Sequence, residues 1–343
     1  MNGLQRVMCA VKGEVPDQPP VSLTLSLYGA GLTNCPLKEY YTKASCYAEG
    51  QQAVVERINP DVLLTPFTLS SIGEAYGSDV IYFDHSPPNI SKPAISTPDK
   101  IVTFQPEKIM ERPGIEYLLD STSLLARRYG DEKAIASVFL SPADLPPLLI
   151  GMESWLHTLL FEEKKAASIL EKTTALFVQT AKAFFAAGAH MLVLPLAFCN
   201  PAIVTENMMN RLIKPTLKEA FQQINGPIIL HHSGLPMSAF GKTLSTLPQI
   251  AGLVLDPRDS FREIRDQVGS QQVLMGRLDG TNLHRMKPEA IAEKCRGILN
   301  ERMDDRHFVL SSSNADIPLE TPIENVQAVM KAIADWREEV NRE

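Results

Sequence analysis

Eight short segments rich in β-branched and other apolar residues alternate with longer segments of helical periodicity. This alternation predicts an α/β protein folded as a (β/α)8 TIM barrel. The length of 343 residues suits one large barrel. Continuously apolar runs such as Met191–Leu194 are typical of parallel strands buried on both faces. Because no linker and no internal repeat interrupts the pattern, residues 1–343 are predicted to form a single TIM-barrel domain.

Most of the predicted strands are bounded by glycine or proline, which marks where each apolar run stops. In chain order the predicted strands are Val21–Leu27, Asp61–Thr65, Ala134–Leu140, His190–Leu196, Pro227–His232, Gly252–Asp256, Gln272–Leu278 and His307–Ser311.

Three helices between or after these strands are predicted from periodicity and capping signals. Residues 162–187 carry an apolar stripe at helical spacing, with acidic residues in the first turn. A second helix is predicted from the cap Thr205 towards Ile224, and a last one from Thr321 onwards, where Pro322 occupies the first turn. The Pro-rich segment from Pro87 to Glu116 is predicted to be a long excursion between strands.

Composition argues against several classes of function. Lys and Arg number 33 against 40 Asp and Glu, a net charge of −7, and no basic block occurs, so a nucleic-acid partner is not expected. No apolar run approaches the ~20 residues that cross a bilayer, so membrane insertion is not expected. The five cysteines are dispersed, which is typical of reduced thiols, and no signal peptide is recognisable; we predict a cytoplasmic protein.

The active site of a TIM barrel lies at the carboxyl ends of its strands. Each polar residue there also has a structural interpretation: Cys199 as a small buried apolar side chain, Asp256 as a turn residue, and Arg277 as a partner of Asp279. His231 and His232 alternate in direction, so at most one of them faces the barrel mouth. The run from Ser311 to Asn314 fits either a polar loop or a site.

Four segments, in order along the chain, resemble sequence elements of the uroporphyrinogen decarboxylase superfamily. Ala187–His190 is similar to its A-G-A-D element, and Ile229–Gly234 to the I-L-H-x-C-G motif of its methylcobamide:thiol methyltransferases. Val273–Gly280 resembles L-x-G-N-[IL]-D-P, and Asp316–Asn325 resembles the D-I-P-x-x-T-P-x-E-N ending. The resemblance implies a TIM barrel of the uroporphyrinogen decarboxylase type, closest to the corrinoid-dependent methyltransferase branch.

The branch implies methyl transfer between a small substrate and a corrinoid (cobalamin) carried by a partner protein. Its thiol-activating members bind zinc through H-x-C and a later Cys, and here those positions are His231, Ser233 and Ala315. The alternative E-x14-E-x20-H spacing falls on Pro195 and Asn210, so no carboxylate is present. The sequence therefore predicts a degenerate zinc site in which His231 alone can be a ligand, and no bound cofactor. A substrate that already carries positive charge, such as a quaternary amine, needs no metal activation.

Two alternatives remain open. The first is a lyase of the uroporphyrinogen decarboxylase type, although the family's Arg-rich stretch reads Ser26–Gly31 here without arginine, and its central Asp falls at Thr68. The second is a non-catalytic paralogue that binds a ligand or a corrinoid protein. For a methyltransferase-like enzyme, the predicted catalytic residues are His231, Asp256 and Asn314, and the predicted substrate-binding residues are Tyr28, Arg277, Ser233 and Cys199.

Overall fold

A computed structural model describes residues 1–95, 97–103, 109–340 and 342. Its central sheet has eight strands: β1 Val21–Ser22, β2 Val62–Leu64, β3 Ala134–Val138, β4 Met191–Pro195, β5 Ile228–His231, β6 Ile250–Val254, β7 Val273–Asp279 and β8 Phe308–Ser313. All of them pair in parallel, in the order β1-β8-β7-β6-β5-β4-β3-β2. The predicted (β/α)8 TIM barrel and each of the eight predicted strands are confirmed.

The barrel closes between β1 and β2 through one buried carboxylate. The Asp61 backbone N–H donates to the Val21 carbonyl at 3.0 Å, and the Val21 N–H donates to Asp61 Oδ2 at 2.9 Å. Arg6 Nη1 donates to Asp61 Oδ1 at 2.9 Å, which compensates the buried charge. Asp61 therefore supplies the hydrogen bonds to the Val21 backbone that direct pairing of β1 with β2 would otherwise supply.

Helices surround the barrel, and each of the three predicted from the sequence is present. The second is continuous with a π turn, Met209–Ile213, inside it, and the last begins at Ile323. The helices are α1 Gly3–Lys12, α2 Tyr28–Thr33, α3 Leu37–Tyr40, α4 Ala44–Arg57, α5 Leu69–Ala75, α6 Pro113–Tyr129, α7 Pro146–Ile150, α8 Met152–Phe161, α9 Glu163–Ala186, α10 Glu206–Met208, α11 Lys214–Gln222, α12 Gly241–Leu244, α13 Phe261–Val268, α14 Pro288–Glu301 and α15 Ile323–Val340. Within the described residues, none of these helices is long and apolar enough to span a bilayer.

The Pro-rich excursion contains structure that the sequence did not predict. Asp79–Ile81 pairs antiparallel with Asn89–Lys92, and this hairpin begins before the predicted start of the excursion at Pro87. A 3-10 turn follows at Pro98–Thr103, and α6 begins at Pro113. Residues 96 and 104–108 of the predicted excursion lie outside the described residues.

Alternation along the strands divides the apolar core into two layers. Residues such as Ala136, Met191 and Ile229 point into the barrel, whereas their neighbours pack against the helices. The inward layer continues to the carboxyl ends of the strands, where Val138 and Val254 reach the barrel mouth. The same alternation therefore builds the core and aims side chains into the cavity described next.

Candidate functional site

Two adjoining cavities lie at the carboxyl ends of the strands. The inner pocket, inside the barrel, has a volume of about 440 Å³ including its opening. The outer groove is about 1430 Å³ including its opening and is bordered by the hairpin; Phe67 lines both cavities. The inner pocket is lined by Ser22, Thr24, Leu64, Phe67, Val138, Val193, Pro195, His231, Val254, Met275, Ser311, Ser312 and Asn314. The groove wall includes Thr68, Phe83, His85, Met152, Asp316, Leu319 and Glu320.

The inner pocket is uncharged on every described side. Its walls from β2, β3 and β4 are apolar, whereas β1, β5 and β8 contribute hydroxyl, imidazole and amide groups. Among its described lining residues there is no Asp, Glu, Lys or Arg. An ion moved from water into such a pocket loses its hydration without gaining a counter-charge, so the pocket favours neutral ligands.

His231 brings the imidazole to the pocket. It ends β5, and alternation from the inward-facing Ile229 turns it into the barrel. Its Nδ1 accepts a hydrogen bond from the Ser233 N–H at 3.1 Å, so the proton of the neutral ring resides on Nε2. Burial, reinforced by neighbouring His232, lowers the pKa of His231 to about 3, although a backbone hydrogen bond with Asn314 acts in the opposite direction. The ring of His231 is therefore neutral at pH 7.

His232, which was not among the predicted site residues, supports His231 from behind. The two rings are stacked with centroids 4.5 Å apart, and His232 is fully buried. Its Nδ1 lies 3.2 Å from Asp256 Oδ2, and its Nε2 accepts from the Asn314 N–H at 3.3 Å. His232 therefore joins the ends of β5, β6 and β8. As alternation predicts, only His231 of the pair lines the pocket.

Asp256 was predicted to be catalytic, but the structure places it behind His232 and away from both cavities. Its carboxylate receives three hydrogen bonds from Arg258, from the backbone N–H at 2.9 Å, Nε at 2.6 Å and Nη2 at 2.9 Å. Burial acts to raise the pKa of Asp256, but Arg258 outweighs it and the pKa is lowered. Asp256 is thus an ionised group that is paired with Arg258 and lies beside His232, whose Nδ1 accepts from the Gly234 N–H at 3.0 Å.

Asn314, also predicted to be catalytic, does line the inner pocket together with His231. Its backbone is left-handed, with φ of 71°, a conformation that asparagine tolerates better than most residues. Its side-chain Nδ2 donates to Asp279 Oδ1 at 3.1 Å. Hydrogen bonds from the backbone N–H to His232 and from the side chain to Asp279 therefore hold Asn314 in place.

None of the four predicted substrate-binding residues is among the residues that line the two cavities. The Tyr28 hydroxyl, in α2, donates to the Thr321 carbonyl at 2.7 Å, and the side chain is buried in the core. Cys199 is fully buried, which raises the pKa of its thiol well above the ordinary value and agrees with its structural interpretation. Ser233 supplies its backbone N–H to His231, while its hydroxyl is buried without a partner.

Arg277 is turned away from the pocket. Its Nη2 donates to Glu301 Oε2 at 2.9 Å, and its guanidinium lies 5.1 Å from the centre of the Phe261 ring. Strand alternation places residue 277 on the inward face with Met275, but Gly276 has φ of 149°, which interrupts the alternation. The structure therefore places the predicted substrate-binding residue Arg277 outside both cavities, and its ionic partner is Glu301 instead of Asp279.

Asp316 is the buried carboxyl group of the outer groove. Its Oδ1 accepts from the Leu27 N–H at 2.9 Å, and the residue is 7% exposed. Burial raises the pKa of Asp316 to about 7, although hydrogen bonds from the Leu27 and Ser26 backbones act in the opposite direction. A substantial fraction of the molecules therefore carries a neutral carboxylic acid here at pH 7.

The zinc ligands of the thiol-activating branch do not fit this site. His231 Nδ1 is already a hydrogen-bond acceptor, Ser233 is not a thiolate, and the side chain of Ala315 has no ligand atom. Across residues 1–95, 97–103, 109–340 and 342, no group of three His, Cys, Asp or Glu side chains is arranged to hold a metal ion.

From this donor set we expect purified protein to contain far less than stoichiometric zinc. Elemental analysis of the wild type and of His231→Ala checks this, and both should give the same low value because one imidazole binds zinc weakly. About one zinc per chain in the wild type, lost in His231→Ala, would show that a site has been rebuilt from other residues.

Comparison with known proteins places this barrel among its relatives. The family model described as uroporphyrinogen decarboxylase (URO-D) matches residues 2–336. The chain belongs to the URO-D family. Among solved structures, a methyltransferase from Methanosarcina mazei is similar, with a TM-score of 0.85 and 19% identity over 99% of both chains. A B12-independent methionine synthase from Shewanella sp. W3-18-1 has a TM-score of 0.55 and 12% identity over 89% of both chains. No functionally curated sequence matches the chain.

The two neighbours share the barrel fold with this URO-D member. At such low identities the likeness is one of fold, so the choice between a methyltransferase and a decarboxylase depends on the residues of this chain.

Proposed function

We propose that this URO-D family protein is a methyltransferase that transfers a methyl group between a small substrate and a corrinoid carried by a partner protein. The observation that carries the proposal is the combination of a small uncharged pocket inside the barrel with a wide groove directly above it. The pocket suits the small substrate, and the groove leaves room for a larger group to approach the same point.

The cavities disfavour the decarboxylase alternative. Uroporphyrinogen carries eight carboxylates, and binding it requires cations or many hydrogen-bond donors. Neither cavity has Lys or Arg among its described lining residues, and the outer groove presents Asp316 and Glu320 instead. Arg277 lies only two residues after Met275, which lines the inner pocket, but its side chain is paired with Glu301 outside the barrel.

The rim of the outer groove suits a large, mostly apolar partner surface. Phe83 and Met152 line it and are 41% and 54% exposed. Large apolar side chains grouped at the edge of a cavity favour docking of another surface. The corrinoid protein is the partner that methyl transfer requires there.

His231 and Asp316 have distinct chemical roles in this proposal. When a methyl group leaves a heteroatom, the bonding electron pair stays on that atom, and a hydrogen bond from neutral His231 Nε2–H stabilises it. Asp316, with its pKa of about 7, can exchange a proton with a group in the groove near neutral pH. Asn314 and the hydroxyls of the inner pocket orient the substrate.

The test uses the purified chain with free methylcobalamin and a panel of thiol, amine and alcohol acceptors, and with cob(I)alamin and the corresponding methylated donors. We expect a change in the visible absorbance of the corrinoid that is faster than in protein-free mixtures. Uroporphyrinogen should be neither bound nor decarboxylated. Decarboxylation of uroporphyrinogen would contradict the proposal, and cobalamin binding without turnover across the panel would support the non-catalytic alternative instead.

A further inference from the structure

Three consecutive serines end β8, and the structure separates their roles. The Ser313 hydroxyl donates to the Leu255 carbonyl at 2.5 Å, and the Ser312 hydroxyl bonds with the Thr24 backbone N–H at 2.8 Å and the Thr24 hydroxyl at 3.1 Å. Ser311 is 2% exposed, and its hydroxyl has no hydrogen-bond partner. Of the three hydroxyls, that of Ser311 is thus left unpaired, and Ser311 is one of the residues that line the inner pocket.

The direction of Ser311 follows from the strand. Val309 belongs to the inward layer of the core, and Ser311 lies two residues further along the same face. Across the sheet, Ser311 is in register with Ser22 of β1, which also lines the inner pocket. Within the described part of the chain the Ser22 hydroxyl makes no hydrogen bond either. The two serines are therefore neighbours on the wall of the same cavity.

An unpaired buried hydroxyl has a cost, because it gives up its hydrogen bonds to water and receives none in return. Proteins tolerate such groups at sites where a ligand completes them. The part of the pocket wall that β2, β3 and β4 form is apolar and consists of Leu64, Val138, Val193 and Pro195. The pocket thus has a hydrogen-bonding side and an apolar side.

We infer that Ser22 and Ser311 form a subsite for the polar end of a neutral, oxygen-bearing small molecule, whose apolar end packs against the wall from β2 to β4. The inference rests on the proposed function and names the substrate class for it. A hydroxyl both donates and accepts, so alcohols and amides are matched by this pair. Carboxylates and quaternary amines are disfavoured because no counter-charge lines the pocket. A cationic substrate, which the missing zinc ligands suggest, is therefore not the expected one.

The experiment measures binding by ligand-observed NMR titration with three probes of similar size: tert-butanol, N,N-dimethylformamide and the isosteric cation tetramethylammonium. The two neutral probes are expected to bind, and tetramethylammonium at least about tenfold more weakly. Ser311→Ala and Ser22→Ala should each weaken the binding of tert-butanol by about threefold to tenfold, the value of one hydrogen bond.

Thermal unfolding separates this role from a structural one. Ser311→Ala should leave the Tm of the ligand-free protein unchanged or higher, since it removes a hydroxyl that has no partner. Thr321→Val is the matched control, because it also removes a buried unpaired hydroxyl but lies outside both cavities; it should leave probe binding unchanged.

Three results would overturn the inference: no binding of tert-butanol, equal binding of tetramethylammonium, or wild-type affinity for tert-butanol in both serine variants. Its failure is distinguishable from that of the methyltransferase proposal. Serine-dependent binding of neutral probes without any methyl transfer to or from cobalamin would keep the subsite and reject the activity. Methyl transfer that is unaffected by both serine variants would do the reverse.

Discussion

Replacing His231 by alanine is expected to slow methyl transfer by roughly a hundredfold to a thousandfold, the usual cost of removing one hydrogen-bond donor from a developing charge. The ring is neutral, because its pKa is about 3, and its Nδ1 is engaged by the Ser233 N–H. Its contribution is therefore confined to the Nε2–H. Since that hydrogen bond is strongest in the transition state, kcat should fall while KM changes little.

The matched control is His190→Ala. The Nδ1 of His190 likewise accepts a backbone hydrogen bond, from the Ile135 N–H at 2.9 Å, and burial likewise lowers its pKa. It directly precedes β4, at the opposite end of the barrel from the cavities. Loss of His190 should change the stability of the fold and leave the rate of methyl transfer close to that of the wild type.

A pH profile gives a second readout for His231. The imidazole is already neutral at all pH values above about 3. The pH profiles of the wild type and of His231→Gln should therefore have the same shape near pH 6.5. Glutamine keeps a side-chain N–H and should recover part of the rate lost in His231→Ala. A limb near pH 6.5 that is abolished by His231→Gln would show that the ring titrates and that its role is acid–base catalysis.

Much of the barrel was predictable because its strands are buried on both faces. Segments such as Met191–Pro195 are apolar at nearly every position, so the strand is visible without knowledge of its neighbours. The predicted first strand, Val21–Leu27, pairs only at Val21 and Ser22, although Leu23 and Leu25 remain buried. Apolar content indicates burial, whereas hydrogen-bond pairing depends on the partner strand.

The candidate site was predicted in part, for a related reason. The carboxyl ends of β5 and β8 are adjacent to the cavity in any such barrel, and this rule brings His231 and Asn314 together. Arg277 also lies near the carboxyl end of a strand, but the backbone conformation of Gly276 turns its side chain away from the cavity. That conformation could not be predicted from the sequence. Ser22 was missed because a small polar residue inside an apolar segment gives no distinctive pattern.

A second prediction concerns Asp316, whose carboxyl group lies buried between the loop after β1 and the loop after β8. Its pKa is about 7 in the folded protein and near 3.8 in the unfolded chain. Between these values the folded state holds a proton that the unfolded state has lost. Unfolding then releases a proton, so this group makes the folded protein less stable as pH rises from about 4 to about 7.

Asp316→Asn should therefore stabilise the protein at pH 8 and have little effect at pH 4. Asparagine resembles the protonated acid and still accepts from the Leu27 N–H, and a shift of about three pKa units corresponds to roughly 4 kcal/mol in the free energy of unfolding. The measurement is the difference in free energy of unfolding between variant and wild type across pH 4–8, with Asp304→Asn as an exposed control.

The difference between variant and wild type is the quantity to compare, because His231 acts in the opposite direction over much of this range. Its pKa is about 3 when folded and 6.5 when unfolded, so the unfolded state binds the extra proton and stability from this group falls as pH falls from 6.5 to 3. In the wild type, the contributions of Asp316 and His231 offset each other, so the free energy of unfolding changes little with pH over this range. In the difference, the His231 contribution cancels and the slope of Asp316 remains. A stabilisation by Asp316→Asn that is equal at pH 4 and pH 8 would show that the carboxyl group does not titrate in this window, and that its hydrogen bonds to the loop after β1 keep it ionised throughout.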